Sequence, residues 1–172
     1  MTSVHYGRRA ITLLEVVMAT TLLAGLGTAA AMLLRTGHVA WSAHEEDAAG
    51  LEAAHATLRH IVRQVRQAVQ VSAISSPNDN AGSLSLLMPS GETYVWSRNA
   101  ATNEVYFGVS SASDLLAAGI TQLSFSGYGV DTVTVPASVT DIQSVVCRVQ
   151  VQLPHEVGSA RSITYWAWLR TW

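Results

Sequence analysis

Lysine is missing from this chain, and cysteine occurs once, at Cys147. The ten basic residues other than histidine are all arginine, which reads as a composition bias rather than a functional signal. A single cysteine excludes an internal disulfide and a cysteine-based metal cluster, so the compartment cannot be read from disulfides. Cys147 falls on the apolar side of an alternating segment and is expected to be an inert core thiol. Only 13% of residues are charged and the net charge is -2, with no basic stripe of the kind a nucleic-acid binder shows. No Gly-x-Ser-x-Gly motif, phosphate loop or dinucleotide fingerprint is present. Gly25-Leu26-Gly27 lacks the preceding strand and the third glycine. Asp79, Asp131 and Asp141 are scattered through loop-like stretches and form no EF-hand run, so no metal is expected. His44, His55 and His60 make no i, i+4 pair with a carboxylate and are expected to be solvated. No catalytic activity and no cofactor are expected.

Set against these absences is one long apolar run. From Val16 to Leu34, nineteen residues carry no formal charge. At about 1.5 Å per residue they make a helix of roughly 28 Å, enough to cross the hydrocarbon core of a bilayer. Arg8 and Arg9 precede the run, which by the positive-inside rule keeps the N-terminus cytoplasmic. Glu15 stands at the mouth of the run and needs a reason. A secretory signal peptide is one reading, with Ala29-Ala30-Ala31 as the cleavage region or Arg8-Arg9 as a twin-arginine signal. Against it, Glu15 interrupts the apolar stretch, and Met32, Leu33 and Leu34 continue it past the supposed cut. A plain membrane anchor is another: an acid at a helix centre costs roughly 2.5–3.5 kcal/mol, and less near an end where it reaches the surface.

A third reading accounts for the odd features together. Residues 8–34 resemble the N-terminus of a type IV prepilin or pseudopilin, with a short basic leader followed by Ile11-Thr12-Leu13-Leu14-Glu15-Val16. The resemblance implies cleavage by a prepilin peptidase between Ala10 and Ile11, and N-methylation of Ile11. Two residues depart from the family pattern: Ala10 stands where glycine is usual, and Ile11 where phenylalanine is usual. Cleavage after Gly7 would start the chain at Arg8 and lose the motif. The resemblance further implies that Glu15, as the fifth mature residue, pairs with the freed α-amino group of a neighbouring subunit. An unpaired charge in apolar surroundings is expensive, and such a partner relieves it.

Beyond the run, Gly25 and Ala29 have a small-xxx-small spacing, and Arg35, Gly37 and His38 mark emergence into water. Glu45-Glu46-Asp47 reads as a solvated charge run. From Leu51 onward the apolar residues fall on heptad positions: Leu51, Leu58 and Val65, Ala54, Ile61 and Ala68, then Val62 and Val69. Arg59, Arg63, Gln64, Arg66 and Gln67 occupy the polar side, and the pattern predicts an amphipathic helix that stops before Ser75. After residue 80 the period shortens. Ser83–Met88 and Glu92–Ser97 flank Pro89-Ser90-Gly91, a hairpin signal. Glu104–Val109, Ile120–Tyr128, Val145–Leu153 and Ser162–Leu169 read as further strands, and Ser113–Gly119 as a helical turn stopped by glycine. Trp166, Trp168 and Trp172 are expected to finish the core and edge of the sheet.

The expected fold class is therefore α+β: a long N-terminal spine helix packed on a small antiparallel sheet domain. The expected organisation is leader 1–10, membrane or filament-core helix 11–34, amphipathic continuation 35–74 and sheet domain 75–172. This layout also resembles the pilin-like family. The segment from Asp114 to Tyr128 and the late strand ending at Leu153-Pro154 are similar to J-type minor pseudopilins and W-type minor pilins. The resemblance implies a single-pass bacterial inner-membrane protein whose C-terminal domain is periplasmic or external. It would be assembled at the tip of a type II secretion pseudopilus with other minor and major pseudopilins; a minor pilin of a type IV pilus is the alternative. Losing the leader leaves eight arginines against twelve acids in the mature chain. A single-span anchored binding domain that never assembles stays open beside it.

Overall fold

The computed structural model describes residues 12–153 and 160–170. The chain divides into two compact units, Met1–Ser42 and Ala43–Trp172. Helix α1 runs Leu13–Val65 and is followed by eight strands: β1 Gln70–Ile74, β2 Ser83–Leu87, β3 Thr93–Asn99, β4 Glu104–Val109, β5 Asp114–Ala117, β6 Ile120–Tyr128, β7 Ser144–Gln152 and β8 Ala160–Trp168. A short 3₁₀ turn, Val139–Asp141, precedes β7. The α+β class and the helix-on-sheet packing expected from the sequence are what the chain adopts.

The strands form two antiparallel meanders rather than one sheet: β1-β2-β3-β4-β5 and β6-β7-β8. The join between them is local. The Gly82 N–H donates to the Leu123 carbonyl at 2.8 Å, and the Leu123 N–H donates to the Asn80 carbonyl at 3.0 Å. A Cβ at Gly82 would stand 2.6 Å from that Leu123 oxygen, so the junction admits only glycine without a backbone shift.

Within Ala43–Trp172 the heptad stripe of α1 becomes the buried face: Ala54, Thr57, Leu58, Ile61, Val62 and Val65. It packs with Leu84, Leu86, Trp96 and Val105 from the first sheet and with Leu123, Phe125, Val145, Cys147 and Val149 from the second. Side chains of this size each contribute about 1.5–3 kcal/mol when fully buried. Alternation in β7 puts Val145, Cys147, Val149 and Val151 inside, with Arg148 and Gln152 outside. The β2–β3 hairpin turns at Gly91, which takes φ +85, and its Met88 N–H bonds the Glu92 carbonyl. Strand β4 falls on the residues its alternation predicts.

Two elements differ from the sequence expectation. The helix ends at Val65, and Gln70–Ile74 is a strand. Val71 pairs with Leu86 and is fully buried, and the Val69 N–H bonds the Leu87 carbonyl, so Val69 is exposed rather than on the helix seam. The β-branched residues at 69, 71 and 74 suit a pleated surface, and pairing to β2 supplies the hydrogen bonds a further helical turn would have supplied. Residues 114–117 likewise form edge strand β5 on β4, not a helical turn. Four residues are too few to offset helix nucleation, and an open sheet edge lay beside them. Gly119, at φ +79, still ends the segment.

Candidate functional site

The unit Met1–Ser42 holds the first candidate. Every described residue from Thr12 to Trp41 is exposed, including Leu13, Leu14, Val16, Leu22, Leu23, Leu26, Met32, Leu33 and Leu34. By length and composition this helix can cross a membrane. Its threonines need no outside partner: Thr20, Thr21, Thr28 and Thr36 donate to the carbonyls of Val17, Met18, Gly25 and Met32 at 2.9–3.0 Å. That self-sufficiency suits a hydrocarbon environment, where each unmet polar group costs several kcal/mol.

Glu15 is the polar exception. Thr12 caps the helix, accepting the Glu15 N–H at its hydroxyl at 3.3 Å and at its carbonyl at 3.0 Å. Glu15 thus takes the third helical position of a Thr-x-x-Glu start, where a negative charge meets the positive end of the helix dipole. The sequence reading missed this role, although Thr12-Leu13-Leu14-Glu15 ahead of an apolar run is the signal for it. Its carboxylate accepts no hydrogen bond among the described residues. Arg8, Arg9, Ala10 and Ile11, the leader charge, cleavage and methylation positions, lie outside the described residues, as do Pro154 and Trp172.

The second candidate lies in Ala43–Trp172. An open groove of about 590 Å³ runs between the end of α1, with Arg59 and Arg63, the turn that follows it, with Arg66, and strand β8, with Tyr165 and Trp166. The three arginines recur at i, i+4 and i+7, on one face and exposed. No acidic side chain among the described residues lies within ion-pair reach of them. The sequence reading counted these arginines only as the wet side of an amphipathic helix. Trp166 is half exposed and stacks on Tyr128 at 5.6 Å, and Trp168 is equally exposed. These two therefore do not finish the core: alternation along β8 assigns its inward positions to Ile163, Tyr165 and Ala167.

The histidines also divide. His44 is exposed, as expected. His60 is instead part of the packing between α1 and the first sheet. It lies edge-on to Phe107 at 4.8 Å, and its Nδ1 accepts the Trp96 indole N–H at 3.3 Å. Burial, and secondly the Arg63 guanidinium, push its pKa below the usual histidine value. His55 Nδ1 is 3.2 Å from the Tyr165 hydroxyl. Cys147 is fully buried, and burial pushes its thiol pKa far up. The Asp131 carboxylate is taken by the Thr134 hydroxyl and the N–H groups of Val133 and Thr134, and Asp79 accepts the Ala81 N–H at 2.9 Å. Among the described residues no three His, Cys, Asp or Glu are placed to hold a metal ion.

The family models, curated proteins and solved structures compared with this chain yield no match. What stands on its own features is an α+β protein with one candidate membrane-spanning helix near its N-terminus.

Proposed function

We propose that this chain is a non-catalytic prepilin-like subunit, of the kind that J-type minor pseudopilins of type II secretion represent. A prepilin peptidase removes the leader between Ala10 and Ile11, Ile11 is N-methylated, and the apolar helix holds the subunit in the bacterial inner membrane. Other minor and major pseudopilins or pilins then receive it into a filament. The observation that carries this reading is the first part of α1, residues 13–41, exposed on all sides, uncharged from Val16 to Leu34 with its threonines internally satisfied, and with one carboxylate at its start. A surface of that kind needs lipid or other helices around it. Glu15 needs a cation, and a mature amine on a neighbour provides one.

A second reading draws on the Thr12 cap. It gives Glu15 a local role worth about 0.3–1 kcal/mol through the helix dipole, with no neighbour required. In that case the chain is a single-span anchored domain that does not polymerise. N-terminal sequencing of the membrane-bound protein, with and without a prepilin peptidase, separates the two. A start at Ile11 supports the subunit; retention of the leader supports the anchor; a start at Met32 supports a secreted domain and sinks both. Glu15→Ala is expected to leave insertion intact and to lower recovery in filaments at least several-fold; unchanged recovery counts against the amine pairing.

A further inference from the structure

The two edges of the second sheet are left in different states. At β6 the edge is met: Leu123 gives its N–H to the Asn80 carbonyl and takes the Gly82 N–H on its own carbonyl. At β8 no strand follows. This strand is nine residues long, contains no proline, and pairs with β7 throughout without a register shift. Short length, proline and bulges are means by which proteins close such an edge, and β8 has none of them. The Leu169 N–H bonds the Gln143 carbonyl, on the β7 side. Backbone hydrogen-bonding groups switch sides at each residue of an antiparallel strand, so Ser162, Thr164, Trp166 and Trp168 turn theirs to the open edge. Among the described residues nothing bonds the N–H of Thr164 or Trp166. The arginine groove lies over this edge. Thr164, Tyr165 and Trp166 all line it. Consecutive side chains of a strand point to opposite faces, so what these three share with one groove is their backbone edge. The facing wall is Arg59, Arg63 and Arg66.

We propose that the β8 edge receives an extended acidic segment of another polypeptide, which adds to the sheet as a further strand beside the arginines. Paired N–H and C=O groups along an edge recognise a peptide backbone, which carries both donors and acceptors. A phosphodiester backbone offers acceptors alone and leaves the strand carbonyls unmet. Side chains of the added strand alternate between two surroundings. Those on the inner face, the side of Tyr165, meet the guanidinium groups; those on the outer face lie beside Thr164 and Trp166. The segment that fits therefore alternates acidic residues with apolar or β-branched ones. Alternate side chains of a strand are about 6.6 Å apart, and Arg59 and Arg63 are about 6 Å apart along the helix axis, so two acids of the segment reach two arginines. A carboxylate also matches the paired N–H donors of a guanidinium. A second copy of this chain joined edge to edge is opposed, because it brings two sets of three arginines together. The inference rests on the fold of Ala43–Trp172 alone and holds whether the chain assembles or remains a single-span anchored domain.

Binding to the full chain in a non-ionic detergent tests it, with the end-blocked, fluorescent peptide Thr-Glu-Val-Glu-Val-Glu-Thr as probe and anisotropy as readout. Saturable binding is expected, and replacing the peptide's glutamates by glutamine should weaken it at least ten-fold. N-methylation of one alternate set of peptide amides, the set turned to β8, should weaken binding at least ten-fold, and methylation of the other set less than three-fold. In the protein, Arg59→Glu with Arg63→Glu should abolish binding of this peptide and create binding of its lysine counterpart. Both side chains are exposed, and urea unfolding checks that the variant is folded. Amide exchange at Thr164 and Trp166 should slow at least ten-fold in the complex. The inference is overturned by no binding at millimolar peptide, by equal binding of the glutamine peptide, by equal losses from the two methylated sets, or by binding that survives charge reversal in a folded variant. Unchanged exchange at Thr164 and Trp166, or an oligonucleotide of equal charge binding as tightly as the peptide, also overturns it. None of these outcomes bears on where the N-terminus is cut, so the subunit reading stands or falls separately.

Discussion

Replacing Arg98 by alanine removes the side chain that ties four segments together. Its Nε donates to the Ile120 carbonyl at 2.7 Å, one terminal nitrogen to the Asn80 carbonyl at 3.2 Å, and the other to the Asn103 Oδ1 at 2.5 Å. Strand β3 is thereby bound to the start of β6, to the loop before β2 and to the β3–β4 turn. The guanidinium is buried without a carboxylate among these partners, so its charge is met by carbonyl dipoles alone. Hydrogen bonds to charged groups are worth about 1.5–3 kcal/mol each, and their loss leaves the acceptors unmet. Part of the gain offsets the cost of drying the guanidinium, which alanine no longer bears. The balance is a loss of about 3 kcal/mol, or on the order of 10 °C in Tm for a unit of this size. Urea unfolding of the full chain in detergent, followed by the fluorescence of buried Trp96, measures it. Arg98→Lys keeps the charge but not the three-way fork, and is expected to fall between wild type and alanine. A loss below about 0.5 kcal/mol for Arg98→Ala would refute the assignment of the sheet junction to this residue.

His60 gives the fold a pH dependence of definite sign. Its folded pKa lies below the unfolded value, so the unfolded chain takes up the proton first as pH falls. Stability is full above the unfolded pKa, near 6.5, declines as pH falls through the folded pKa, and levels off once both states are protonated; His60→Phe should flatten that profile in unfolding measured from pH 7.5 to 5. Protonation also removes the acceptor for the Trp96 indole, so the Trp96 emission should shift over the same range. Gly82→Ala should cost about 1–3 kcal/mol in the same urea assay, because the new methyl meets the Leu123 carbonyl and must push the two sheets apart. Cys147 should resist alkylation at pH 8 until the chain unfolds; rapid labelling of the native protein would contradict its burial.

Much of this molecule is determined by chain-local patterns. The apolar length after Glu15 makes one membrane-capable helix, because exposure of nineteen uncharged residues in any other conformation would leave backbone groups unmet in lipid. The 3.6-residue recurrence of Ala54, Leu58, Ile61 and Val65 and the alternation of Val145, Cys147, Val149 and Val151 gave the packed faces, since periodicity alone decides which side chains can share a side. Pro89-Ser90-Gly91 marked its hairpin through the positive φ only glycine takes freely there. Tertiary pairing decided the rest. Residues 70–74, whose β-branched side chains suit either a helix seam or a pleat, and residues 114–117 became strands because β2 and β4 offered them hydrogen bonds. The junction of the two sheets depends on Gly82 meeting Leu123, forty-one residues away, and Arg98 reaching Ile120. The arginine groove has the same origin: spacing put Arg59, Arg63 and Arg66 on one side of a helix, but only β8 folding back beside them supplied its second wall. Distances along the chain govern helix faces and turns; which surfaces are left open is decided by what the rest of the chain covers.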